Sequence, residues 1–250
     1  MMTATKLIAY HDSQVEKDAI LEQLRLHAAA DEIVKGQYWE HGKGCAIGCT
    51  IHDSDHSRYE ALFGIPAPLA YLEDTLFEGL PNGAAKQFPL RFMGAIRPGA
   101  DLGAVQWQFL HRILTDETIS PGINHPLVKQ AVSDVAALVA AWAKGDPMDA
   151  SAARSAAMSA ASAASEARSA ASAASAARSA AWSAASAARS EARSAAMSAA
   201  MSAAMSAAES AESAASAAES AESAESAAGA AWSAAYSRMA DVLIELLEAA

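Results

Sequence analysis

SQVEKDAILEQLRLHA, residues 13–28, decides the fold class. Ile20, Leu24 and Ala28 stand four apart, Val15 and Leu21 accompany them, and charged residues fill the gaps, which is the repeat of a one-sided helix rather than a strand. Ser13 and Glu16 form a capping box ahead of it, the hydroxyl and the carboxylate each satisfying an amide that the first turn leaves open. Gly36 is the predicted stop.

The same punctuation recurs along the next hundred residues. Asp53 or Ser54 caps a short helix through Arg58, Leu62 and Phe63 that ends at Gly64. Pro66 and Pro68 open a segment carrying Leu69, Leu72, Leu76 and Phe77 that closes at Gly79, and Asn82 caps one that runs to Ile96 before Pro98. Asp101 starts a helix bearing Val105, Trp107, Phe109, Leu110 and Leu114. Asn124 starts another bearing Leu127, Val128, Val132, Val135, Leu138, Val139 and Trp142, ended by Gly145 and Pro147. Trp39, Trp107 and Trp142 fit core positions. Strict alternation is scarce, so the expected class is all-α, with a strand considered only at Leu7–Tyr10.

Large apolar residues are plentiful from Lys6 to Trp142 and almost vanish until Val242. Alanine offers one methyl, at about 0.8 kcal/mol per buried carbon, so a conventional core belongs to the first part alone. Three regions follow: a compact multi-helix domain over 1–147, a very long Ala/Ser-rich helix over 148–228, and an amphipathic C-terminal segment over 229–250.

The middle region is built from Ser-Ala-Ala and Ser-Ala-Ala-x units. Its 22 serines from Ser151 to Ser226 have a mean step of about 3.57 residues, close to the 3.6 of an α-helix, so they line up as one seam on a nearly straight rod. Arginine (Arg154, Arg168, Arg178, Arg189, Arg193) marks its first part, Met197, Met201 and Met205 its middle, and glutamate (Glu209, Glu212, Glu219, Glu222, Glu225) its end. Antiparallel pairing of two copies would set the arginine half against the glutamate half, which predicts a homo-oligomer oriented by charge. Gly229 is the expected hinge. Beyond it Trp232, Tyr236, Met239, Val242, Leu243, Leu246 and Leu247 form an apolar face suited to docking.

The formal charge of −11 argues against nucleic acid as a partner, because a phosphate binder gains from an uncompensated basic face. No stretch reads as a signal peptide or a membrane span, since Ser, Arg or Glu interrupts every turn of the alanine tract. Two cysteines in a chain expected in the reducing cytoplasm read as thiols or metal ligands rather than a disulfide.

Five of the nine Cys and His residues fall in sixteen positions: His41, Cys45, Cys49, His52 and His56. On a continuous helix these steps of four and three would share one side. Gly42, Gly44 and Gly48 oppose that, and predict a loop at 42–44 with a helix starting near Cys45. Three uses of the cluster stand side by side. The cysteines can simply pack in the core. Cys45, Cys49 and two of the histidines can hold zinc, the one cofactor the residues suggest. Or Cys45, at a helix N-terminus beside Lys43, can be a thiolate nucleophile, with His52, His56, His111 or His125 as base and Glu40, Asp53 or Asp55 orienting it. His11 and His27 are expected at the surface, and Glu73, Asp74 and Glu78 on a solvated face.

The stretch from Lys6 to about Lys144 resembles a set of bacterial and phage-borne proteins sharing the segment Tyr-Trp-Glu-His-Gly-Lys-Gly-Cys-x-x-Gly-Cys-Thr-Ile-His, here Tyr38 to His52, followed by alanine-rich tails. The resemblance implies a grouping and no activity. The expected function is a non-enzymatic scaffold assembled by the Ala/Ser rod. The alternatives are a zinc-binding or thiol-dependent enzyme using the cluster and, more remotely, a protein that binds ice or another ordered surface through its flat Ala/Ser face.

Overall fold

The computed structural model describes residues 6–117, 119, 126–146, 155 and 224–250. Apart from position 155, residues 147–223 lie outside that set, and with them the predicted rod and its serine seam; so do the Asn124 cap and His125. The described residues are mostly helical, with eight α-helices and one two-stranded hairpin. None of these helices is long and apolar enough to cross a membrane. The chain forms two compact units, Met1–Val105 with Leu243–Ala250, and Gln106–Val242.

In the first unit, α1 (Gln14–Ala29) begins where Ser13 Oγ accepts the amide of Glu16 at 3.2 Å. It ends at Ala29, seven residues before the predicted stop at Gly36. Asp31 takes the left-handed conformation at φ 55°, and the amide of Glu32 donates to the carbonyl of His27 at 3.0 Å, closing the last turn without glycine. Val15, expected on the packed face, is exposed, whereas Ile20, Leu21 and Leu24 are buried.

No strand forms at Leu7–Tyr10. Instead Tyr10, His11 and Asp12 are all left-handed, at φ 51°, 49° and 61°, a conformation that costs L-residues roughly 1–2 kcal/mol each. The turn is held from both sides. Ala9 exchanges backbone hydrogen bonds with Ala100 and Gly99, and the buried Tyr10 hydroxyl donates to the carbonyl of Met93 at 2.6 Å.

Four more helices complete this unit: α2 (Ala46–Ile51), α3 (Arg58–Phe63), α4 (Ala67–Gly79) and α5 (Asn82–Ala95). Ser57, rather than Asp53 or Ser54, precedes α3, and Asp53 pairs with Arg58 at 2.7 Å. The α3 stop at Gly64 requires glycine twice over, because its φ is 61° and an added Cβ would lie 1.9 Å from the carbonyl oxygen of Ile8. Helix α5 packs on α1 and α4, and α2 lies among all three with every residue buried. Leu24, Leu72, Leu76, Phe88 and Phe92 supply the core between them.

In the second unit, α6 (Val105–Thr115) and α7 (Pro126–Ala143) meet through Trp107 and Trp142, edge to face with centroids 5.1 Å apart. Helix α8 (Ala224–Ala249) runs unbroken through Gly229, so the expected hinge is a helical residue. Arg238 on it bonds to Asp116 at 3.2 Å, and Tyr236, Met239 and Val242 are buried. The last residues of α8, from Leu243 on, belong to the first unit, where Leu243 and Leu247 are buried.

Candidate metal centre

The glycine-rich segment folds as a hairpin that delivers Cys45 to the start of α2. Strands β1 (Trp39–Glu40) and β2 (Lys43–Gly44) pair antiparallel, and the two residues between them, His41 and Gly42, have φ 52° and 81°, the positive pair a tight type I′ turn requires. Gly44 also bridges to Ile33, and the Cys45 amide donates to the Gln37 carbonyl at 2.7 Å. The chain then enters α2 with Cys45 as its extended N-cap residue, and leaves it at His52, left-handed at φ 52°.

Two glycines make this crossing possible. A Cβ at Gly48 would lie 1.3 Å from the carbonyl oxygen of Tyr38, and one at Gly44 would lie 2.0 Å from the same atom. The strand therefore passes over α2 at a distance that no side chain permits.

Cys45 Sγ, a carboxylate oxygen of Asp74 and one of Glu78 lie within 4.8 Å of one another. Asp74 and Glu78 are four apart on α4 and so share a face. Asp74 is held by two partners on one oxygen. His56 Nε2 lies 3.2 Å from Oδ2, and the Tyr38 hydroxyl donates to the same atom at 3.4 Å. The other oxygen, Oδ1, is buried and has no hydrogen-bond partner. The His56 ring is itself fixed. It stacks on Tyr71 at 4.0 Å, and its Nδ1 lies 3.0 Å from the carbonyl oxygen of Ser54, so the ring is wedged between that carbonyl and the Asp74 carboxylate.

The electrostatics reverse the expectation for Cys45. Burial first, then the charge of Asp74 and a side-chain hydrogen bond to that carboxylate, push its thiol well above the ordinary value, and the amides of Gly48 and Ile47 only partly oppose them. Cys45 is thus a neutral thiol in this environment. Cys49 is pushed up to about 12, again chiefly by burial, and its thiol donates to the carbonyl of Gly44 at 3.3 Å. Tyr38 is raised by burial and by Asp74, which keeps its hydroxyl a donor.

The five clustered residues do not converge. His41, with 88% of its side chain exposed, sits in the hairpin turn. Cys49 faces backbone in the core. His52 stacks on Trp39 at 4.1 Å and meets His27, not the cysteines. Cys45 and His56 alone reach the Asp74 group. Asp53 pairs with Arg58, Glu40 with His41 at 3.6 Å, and Asp55 accepts from Ser57, so none of the three orients a histidine on Cys45. His111 belongs to the second unit.

Two expectations about acidic and basic residues are overturned. Glu73, placed on a solvated face with Asp74, is fully buried and accepts the Tyr59 hydroxyl at 2.8 Å. His27, expected at the surface, has a side chain only 12% exposed. The carboxylates that complete the site, Asp74 and Glu78, were legible as a helical i, i+4 pair; what hid their role is that the partner thiol lies 29 and 33 residues earlier in the chain.

Compared with protein-family models, with curated proteins and with solved structures, the chain finds no match. Its class therefore rests on the fold and the site: a mostly helical protein with a thiol–carboxylate cluster at the N-terminal end of a buried helix.

Proposed function

We propose that the first unit is a divalent-metal-binding domain in which Cys45, Asp74 and Glu78 hold zinc. The observation that carries this reading is the convergence of three donor atoms, from a thiol and two carboxylates, within 4.8 Å of one another at the buried start of α2. A thiolate with two carboxylates is a donor set zinc accepts, and three protein ligands leave a position open to water or substrate. His56 acts behind the ligands: its bond to Oδ2 orients the Asp74 carboxylate and leaves Oδ1 to the ion. An ion there also resolves the electrostatic conflict, since coordination deprotonates the thiol that burial and Asp74 keep neutral. Binding then releases a proton, and affinity falls as the pH is lowered.

Elemental analysis of protein purified without chelator tests this. About one zinc per chain is expected, lost in Cys45→Ala and Asp74→Asn and retained in Cys49→Ala and His41→Ala. Wild-type protein that stays metal-free after dialysis against zinc would overturn it.

A second reading rests on the serine register. With a mean step of about 3.57 residues from Ser151 to Ser226, the repeat favours one long Ala/Ser helix that pairs antiparallel with a second copy. The protein would then be a cytoplasmic scaffold that spaces copies of its helical domain. Sedimentation equilibrium tests it directly: a strict monomer at high concentration removes the assembly.

A further inference from the structure

We propose that His27 and His52 form an acid-sensitive latch that holds the end of α1 against the hairpin and α2, and parts when both rings are charged. The two Nε2 atoms lie 3.0 Å apart and the ring centroids 5.2 Å apart, a hydrogen bond between the ring ends. His27 comes from the last turn of α1 and His52 closes α2. Trp39 of β1 covers both, stacked on His52 at 4.1 Å and edge-on to His27 at 5.3 Å. The latch thus joins three elements at one point.

Such a bond holds a single proton. Glu32 Oε2 lies 2.6 Å from His27 Nδ1, and an ionised carboxylate only accepts, so Nδ1 is protonated. Between the Nε2 atoms one ring donates and the other offers its lone pair. The pair stays closed when neutral or when it carries one added charge. With both rings charged, two N–H groups point at each other across 3.0 Å, and the contact turns repulsive. Cation–π attraction keeps a charged His52 on Trp39, so the parting falls between those two and His27.

The surroundings leave the pair to set its own response. Burial first and His27 second lower the His52 pKa, and Glu32 opposes them. Helices α4 and α5, also packed on α2, add no charge to those acting on this ring. Nearby groups are neutral or engaged elsewhere. Cys49 is a neutral thiol, Gln23 donates to the carbonyls of Cys49 and Thr50, His41 pairs with Glu40, Asp53 with Arg58, and Asp31 with Lys86 and Lys43. An unfolded His52 takes its proton as pH falls past 6.5, whereas the latched ring resists it. The latch therefore stabilises the fold above that value and ceases to do so as pH drops below it.

Two backbone bonds cross the same boundary and report its opening: the Gly44 amide donates to the Glu32 carbonyl at 3.0 Å, and the Val34 amide to the Gly44 carbonyl at 2.8 Å. Amide hydrogen exchange of the full chain tests the latch, with rates corrected for the intrinsic effect of pH and chelator present so that the outcome is independent of the zinc reading. From about pH 7.5 to about pH 5, protection at Val34 and Gly44 should fall on the order of tenfold while Leu24 in α1 and Phe92 in α5 keep theirs. In His52→Asn that pH dependence should vanish, the asparagine being chosen because it tolerates the left-handed backbone. Glu32→Gln, which removes the opposing charge and keeps both rings, should move the loss to higher pH. His41→Asn should behave as wild type. Equal protection of Val34 and Gly44 at both pH values, the same loss in His52→Asn, or a matching loss at Leu24 and Phe92 would each overturn the proposal. Circular dichroism checks the fold of each variant, and should His52→Asn unfold, an unmoved midpoint in Glu32→Gln counts against the latch.

Discussion

Replacing Gly48 with alanine probes the contact on which the whole centre is built. The new Cβ would lie 1.3 Å from the Tyr38 carbonyl oxygen, 2.4 Å from its carbon and 3.3 Å from the Trp39 amide nitrogen. Non-bonded atoms settle at about 3.5 Å, so the strand or the helix must move by about 2 Å. Neither yields readily. The strand is tied by the 2.7 Å bond from the Cys45 amide to the Gln37 carbonyl and by the hairpin, and α2 is buried along its whole length. Overpacking of this kind costs about 1–3 kcal/mol, and a broken backbone hydrogen bond about 1 more. Alanine recovers about 1 kcal/mol through helix propensity. The obstacle is main chain rather than a flexible side-chain end, which puts the net loss near 3 kcal/mol. Urea denaturation followed by circular dichroism measures it, with Gly83→Ala as control. No atom lies within 4 Å of a Cβ at Gly83, so that change should be neutral or stabilising by up to about 1 kcal/mol. A Gly48→Ala protein within about 0.5 kcal/mol of wild type would refute the crossing geometry.

Three further outcomes are expected. Burial raises the Glu73 carboxyl well above 4.5, against the pull of the Tyr59 hydrogen bond and with a further rise from Asp74. The unfolded chain therefore loses this proton as pH rises past 4.5 while the folded chain keeps it, so stability declines upward from there. Glu73→Gln carries no such proton, and its stability relative to wild type should improve steadily from about pH 4 to about pH 7; a flat difference would contradict a neutral Glu73. Tyr10→Phe, which removes the 2.6 Å bond to the Met93 carbonyl from a buried turn, should cost about 1–2 kcal/mol in the same denaturation assay. In metal-free native protein, a thiol-specific disulfide reagent should react slowly with Cys45 and Cys49, which are 1% and 0% exposed, and rapidly with two thiols per chain after unfolding. A fast native phase would instead identify a thiolate.

How far the centre was legible depended on sequence distance. The glycine loop ahead of a helix starting near Cys45 follows from local rules, because Gly42 and the short hairpin need only neighbouring residues. The histidines divided for the same reason. His41 lies in the turn, so its spacing to Cys45 carries no helical meaning, and His52 closes α2 in a left-handed conformation that swings its ring toward Trp39 and His27. The one-sided chelator required a continuous helix that Gly44 and Gly48 exclude through close backbone approach.

Local chemistry alone determined that this chain builds helices, where most of them begin and end, and that its large apolar residues gather outside the repeat; caps, prolines and three-to-four spacing act within a few residues. Tertiary structure decided which polar groups left water. Glu73 reads as one more charge on an acidic helix, yet packing against Tyr59 buries it completely, and Asp74, one position on, becomes the partner of a thiol and a histidine from other elements. A side chain's burial depends on what the rest of the chain brings against it, and no pattern within a single helix encodes that.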